Sequence, residues 1–184
     1  LHRVDRRQRQ MCIRDRYKEG IDLMITAGII TVNDKGYKEE DDYRGRIIKR
    51  YLENRGYQIL KYKILKSNQV DLENEMKYMS DKLKVNLILT TGGIACRPTD
   101  IVPEATKNVI MKEVSGIAEG IRYYNLQMSK NVMLSRGVSG IRGETLIVNL
   151  PENPKYLISS LDFALETIEY GVEMVINKIK DCVI

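Results

Sequence analysis

The run Val85 to Thr91, VNLILTT, followed at once by Gly92-Gly93, constrains this chain more than any other feature. A short, nearly continuous apolar run suits a strand covered on both faces, as in a parallel sheet, rather than one that faces water on alternate residues. The paired glycines directly after it impose a tight turn. A second run of the same kind, Ile25 to Val32, turns polar at Asn33 and Asp34 and reads as another buried strand. Parallel neighbours need crossover connections, so helices are expected between them.

The intervening sequence supplies those helices. After a charged loop from Asp34 to Asp42, Tyr43 to Arg55 reads as a helix with Ile47, Ile48, Tyr51 and Leu52 on one face and Gly56 as its C-terminal cap. Tyr57 to Leu65 alternates like a half-exposed strand. Asn68 is placed to cap a helix whose Leu72, Met76, Met79 and Leu83 recur at spacings of 4, 3 and 4, so these methionines are read as core filling. A further helix is expected to open at Pro103 and another to span Gly116 to Gln127. Val132 to Ile141 and Glu144 to Leu150 predict two strands joined near Arg142-Gly143. Asn153-Pro154 starts a helix carrying Leu157, Ile158, Leu161 and Leu165, which Gly171 is expected to interrupt before a terminal helix. This order predicts a three-layer α/β/α fold with a mostly parallel central sheet plus a small β-hairpin. Ligands of such sheets bind beyond the carboxyl ends of the strands.

At 184 residues the chain fits one domain, expected over 17–184 and preceded by a basic extension, residues 1–16, read as disordered or non-native. Arg3, Arg6, Arg7, Arg9, Arg14 and Arg16 against Asp5 and Asp15 give that extension a balance of +4, which leaves +1 of the formal +5 for the rest. A nearly neutral body does not invite a phosphate backbone, so nucleic acid is not the expected partner. No run approaches the roughly 18 apolar residues of a membrane span. Cys12, Cys96 and Cys182 are odd in number and lack paired metal-ligand spacing, which argues against a disulfide framework or zinc site and for a reducing cytoplasm. His2, the only histidine, lies in the extension, so histidine-based nucleophilic catalysis is not expected. Carboxylates, backbone amides, cations or a metal must carry any chemistry.

The stretch Thr90 to Thr106, TTGGIACRPTDIVPEAT, gathers such groups. Gly92 and Gly93 let backbone N–H groups approach an anion, and the helix that follows adds the positive end of its dipole. Asp100, between turn and helix, has the chemistry to hold magnesium or position a phosphate-bearing substrate. Taken alone, the plainer reading of a turn followed by a helix cap is favoured.

This stretch resembles the Thr-Thr-Gly-Gly-Thr-Gly signature of the molybdopterin-binding family, followed by its Arg-Asp-Val-Thr-Pro-Glu-Ala-Thr, with every gap preserved. Leu134 to Lys155, LSRGVSGIRGETLIVNLPENPK, resembles the family's Leu-Ser-Arg strand, Gly-Ile-Arg turn and Asn-Leu-Pro-Gly-x-Pro-Lys motif. The likeness continues through Ile29 to Asp34 and Asp42-Tyr43-Arg44-Gly45 and covers residues 24–176. It implies a cytoplasmic protein, commonly a homotrimer, that binds molybdopterin and magnesium-ATP, joins AMP to the terminal phosphate of molybdopterin and releases pyrophosphate. By position, Asp100 matches the family's essential aspartate, and Gly92 and Gly93 its phosphate-binding turn. Ser135, Arg136, Asn149 and Pro151 match residues lining the same cleft. Thr91 and Glu104 fall in the first block and are expected in the binding set, with Asp42 beside Asp100 as a metal ligand.

Several positions depart from the pattern. The family's Thr-Gly is Ile94-Ala95, its Arg before the aspartate is Thr99, and its Thr before Pro-Glu-Ala-Thr is Val102. A Ser is replaced by Arg44, an acidic residue by Ser67, and a Gly by Glu152. Arg97 can stand in for the missing arginine only if the loop reshapes, and an Asp100 that caps the helix is less free for a metal. The alternative expectation is therefore a molybdopterin- or nucleotide-binding protein of the same fold with attenuated turnover.

Overall fold

The computed structural model describes residues 24–34 and 38–176. Its six strands are β1 (Thr26–Val32), β2 (Gln58–Leu65), β3 (Leu87–Thr91), β4 (Lys112–Glu113), β5 (Ser139–Arg142) and β6 (Thr145–Leu150). They form one sheet in the order β2-β1-β3-β6-β5-β4. The first four are mutually parallel, whereas β5 and β4 run antiparallel at one edge, with β5 and β6 forming the expected hairpin. Thr31 pairs with Thr91 and Thr91 with Leu150, so β1, β3 and β6 end level and release their following loops side by side.

Alternate side chains of these strands feed two cores. Ile29, Leu87, Leu89, Leu146 and Val148 face α1 (Tyr43–Glu53), α4 (Ser115–Leu126) and α5 (Pro154–Val175). Ile30, Ile88 and Ile147 face α2 (Gln69–Lys77) and α3 (Val102–Val109). The result is the expected helix-sheet-helix arrangement. Leu72, Met76 and Met79 are buried in the second core, as their spacing predicted. Asn68 caps α2 by accepting the Asp71 N–H at 3.2 Å, and a wide π-type turn over Tyr78–Lys82 prolongs the helix. Asn153 likewise caps α5, accepting from Lys155 at 3.0 Å.

The structure corrects two expectations and adds an edge strand. Val132 to Leu134 belong to a 3-10 turn, Lys130–Leu134, and the strand that joins the sheet is Ser139–Arg142, which keeps only the end of the expected Val132 to Ile141 and takes in Arg142. Apolar content does not separate such a turn from a strand. The edge strand β4 is too short and exposed to leave a pattern. α5 continues through Gly171 to Val175. A glycine in a helix costs only about 1 kcal/mol, and Ile168 and Val172, both fully buried, anchor the helix on either side of it. The basic extension, His2, Cys12 and Cys182 lie outside the described residues.

Candidate active site

The loops leaving β1, β3 and β6 build one site. Gly92 and Gly93 adopt φ of +94° and +63°, conformations that side chains other than glycine rarely take. A Cβ on Gly92 would run into the Val32 carbonyl oxygen, and one on Gly93 would come within 2.9 Å of Val102. The double glycine is therefore required by the backbone path between β1 and α3, and Val102 N–H donates back to the Gly93 carbonyl at 3.2 Å.

Asp100 is 4% exposed, and its carboxylate accepts from the Arg97 backbone N–H at 2.9 Å and from Arg97 Nε at 3.0 and 3.2 Å. Asp100 N–H in turn donates to the Arg97 carbonyl at 2.9 Å, closing a tight turn. Arg97 thus faces the aspartate, while Thr99 is exposed. Asp100 does not cap α3, whose N-cap residue is Ile101 and carries no side-chain bond. Hydrogen bonding to Asp100, followed by the charge of Glu152, pushes Arg97 above its already high ordinary pKa, so it remains a cation.

Two of the departures, Arg44 and Glu152, belong to a single feature. Arg97 donates through one terminal nitrogen to both oxygens of Glu152 at 3.1 Å. Arg44 approaches Glu152 Oε2 at 3.8 Å and Asp42 Oδ1 at 3.7 Å. Asp42, 2% exposed, accepts from the Tyr62 hydroxyl at 2.7 Å and from the Arg44 N–H at 3.2 Å. Asp42, Arg44, Glu152, Arg97 and Asp100 therefore form a line of alternating charge across the strand ends. Gly45 leaves room for the Tyr62 ring, which a Cβ there would strike.

The remaining expected site residues divide by role. Arg136 donates through Nε to the Ala95 carbonyl at 2.6 Å and through its terminal nitrogens to the Asp100 carbonyl and Glu104. It clamps the β3–α3 loop to the start of α3, with Ser135 half-buried beside it. Asn149 is buried and tied internally: its amide donates to the Thr90 and Thr106 hydroxyls at 2.9 Å and its oxygen accepts from Val138 N–H at 3.0 Å. It braces β3, α3 and the approach to β5, and does not present its side chain to a cleft. The Thr91 hydroxyl is likewise taken up by the Pro151 carbonyl at 2.8 Å. Ile94 packs into the core beneath α3, and Ala95 does not sit at positive φ, so its methyl is accommodated.

Sequence reasoning missed Tyr62 and the placement of Asp34. Ser67, standing where the family has an acid, donates its N–H to Asp34 at 2.7 Å. That bond, then the Ser67 hydroxyl, hold the Asp34 carboxyl below its ordinary pKa, and Arg97 adds attraction. The Asn33-Asp34 end of β1 thus keeps a carboxylate near the site. Its sequence signals were a polar ending to an apolar run and its place in the family likeness from Ile29 to Asp34. Among the described residues no group of three or more His, Cys, Asp or Glu side chains is gathered for a metal ion.

Known proteins share the sequence pattern and the fold. Residues 28–169 match the family described as "Probable molybdopterin binding domain". A molybdopterin adenylyltransferase of Helicobacter pylori strain J99 is 32% identical over 156 residues, 83% of this chain and 89% of that protein. The solved molybdopterin biosynthesis enzyme MoaB of Thermus thermophilus superposes with a TM-score of 0.76 at 35% identity, covering 83% of this chain and 96% of its own. The molybdopterin biosynthesis Mog protein of Mycobacterium ulcerans gives 0.78 at 31% identity, covering 85% and 99%. The fold, the glycine turn with its buried aspartate and this extent of likeness lead to one conclusion: the chain belongs to the molybdopterin-binding domain family.

Proposed function

We propose that this protein is a molybdopterin adenylyltransferase of molybdenum cofactor biosynthesis, using magnesium-ATP and molybdopterin as substrates. The observation that carries the reading is the buried Asp100 beside the left-handed Gly92-Gly93 turn at the ends of β1, β3 and β6. A terminal phosphate oxygen of molybdopterin attacks the α-phosphorus of ATP, the bond to the bridging oxygen breaks, and pyrophosphate leaves. Such transfer depends on positioning and charge neutralisation rather than on a histidine base. Gly92 and Gly93 offer a close backbone approach to phosphate, and Arg136 fixes the loop that carries Asp100.

Magnesium is usually held by one or two carboxylates together with water and substrate phosphates. Asp100 has the donor chemistry for that role, and the ion would neutralise charge on the phosphates; Asp42, expected as the second carboxylate, stands at the other end of the charged line, beyond Arg97, Glu152 and Arg44. The reading places the protein in the cytoplasm and in a homotrimer. Exposed Tyr123 and Tyr124 on α4 and Phe163 on α5, with Tyr124 stacked on Phe163 at 4.4 Å, offer an apolar surface for such an assembly. The alternative, a binding protein with attenuated turnover, is favoured by one observation: Glu152 already pairs with Arg97 and Arg44 inside the site.

The test is product identification. The full chain, molybdopterin, ATP and magnesium are expected to yield adenylyl-molybdopterin and pyrophosphate in equal amounts by mass spectrometry. Pterin that binds without acquiring AMP would favour the alternative.

A further inference from the structure

We infer that Arg44 and Arg97 form a two-guanidinium receptor for a phosphate-bearing anion, in which the Glu152 carboxylate is an internal occupant that the incoming phosphate displaces. The inference rests on the reading that this site takes phosphate-bearing substrates.

Four observations carry it. The Glu152 carboxylate lies against both guanidinium groups, with Oε2 shared between Arg97 at 3.1 Å and Arg44 at 3.8 Å. Carboxylate and phosphate are recognised by the same planar arginine fork, so a site built for one accepts the other. Second, the Arg44 side chain is only 12% exposed, yet its guanidinium is held at ion-pair distances and makes no hydrogen bond among the described residues. Among the described residues its donors are held near two carboxylates without a hydrogen bond to either. Third, that guanidinium is at the phosphate-approach turn: a Cβ on Gly92 would be 3.5 Å from an Arg44 terminal nitrogen. Fourth, the Glu152 side chain is 43% exposed and sits between Pro151 and the α5 cap Asn153, so it can turn out into water without disturbing a core.

Charge sets the direction of the effect. The line holds three acids, Asp42, Glu152 and Asp100, against Arg44 and Arg97, so an anion arriving with Glu152 in place meets a net negative cluster. Moving Glu152 away balances the line and frees donors on both arginines. A ligand with two linked phosphates carries more negative charge than a single phosphate, which favours the polyphosphate of the nucleotide over the monoester of the pterin as the displacing group.

The experiment is calorimetric titration of the full chain with inorganic pyrophosphate, and separately with orthophosphate, in magnesium-free buffer. It compares the unaltered protein, Glu152→Gln, Arg44→Gln and the double variant, each first checked for an unchanged circular dichroism spectrum. Glu152→Gln is expected to tighten pyrophosphate roughly tenfold, the scale of one close charge contact, and orthophosphate less. Arg44→Gln is expected to weaken pyrophosphate and to abolish the gain in the double variant. A gain for orthophosphate alone supports the fork and assigns it to the pterin's phosphate. Unchanged or weaker binding by Glu152→Gln, or a gain that survives in the double variant, overturns the inference. Because binding is read without turnover, a fork that behaves as expected in a protein that makes no adenylyl product separates failure of the proposed reaction from failure of the fork.

Discussion

Gly92 shows how one residue joins fold and chemistry. Its φ of +94° and the Val32 carbonyl oxygen facing its open side leave no place for a methyl group. Gly92→Ala is expected to destabilise the protein by about 1–3 kcal/mol, the range for a side chain forced into that region, as read from the urea midpoint, and to weaken nucleotide binding at the same time. Ile94 behaves oppositely to what its position in the motif suggests. Restoring the family's threonine places a hydroxyl in the core beneath α3, so Ile94→Thr is expected to cost about 1–3 kcal/mol without raising turnover; increased activity at unchanged stability would contradict this placement. The motif made Asp100, Gly92, Gly93 and Arg136 legible from sequence. The Glu152 contact to Arg97 was not, because the two residues are 55 positions apart and meet only where two loops from neighbouring strands converge. The internal roles of Asn149 and Thr91 were equally hidden, since a polar residue in a motif reads the same whether it faces a ligand or braces the scaffold.

At the scale of elements, the two buried strands and the four-three-four stripe of α2 were readable because periodicity and continuous burial leave marks in sequence. The 3-10 turn at Lys130–Leu134 and the helix through Gly171 were not, because apolar content and a single glycine are decided by tertiary packing. The π-type turn that extends α2 is tied to the sheet by Asp81, whose oxygens accept from Arg142 at 2.9 and 2.6 Å. That fork lowers the Asp81 pKa below the ordinary aspartate value of 3.8. A depressed carboxylate contributes stability that is present above its unfolded value and is lost as pH falls through the folded one. Asp81→Asn is therefore expected to lower the melting temperature slightly at pH 7 and not at all well below pH 3.8. Thermal scans across that range check the sign, and a difference that grows toward acid would contradict it.

For the whole molecule, the level ends of β1, β3 and β6 bring three loops to one place, and helices on both faces hold them there. Among the described residues no helix is long and apolar enough to cross a membrane. Tyr123, 70% exposed on α4, belongs to the surface proposed to meet other copies of the chain. Tyr123→Glu is expected to reduce the mass measured by light scattering while leaving the monomer folded; an unchanged mass would move the assembly surface elsewhere. The proposed function makes Asp100, in this loop, the residue that supports AMP transfer to molybdopterin. The most direct measurement is the single-turnover rate of adenylyl-molybdopterin formation by the unaltered protein and by Asp100→Ala, with folding of both verified. Loss of at least about 100-fold, the scale on which removal of one preorganised electrostatic group acts, with pterin binding retained is the expected result, whereas comparable rates in the two proteins would contradict the assignment.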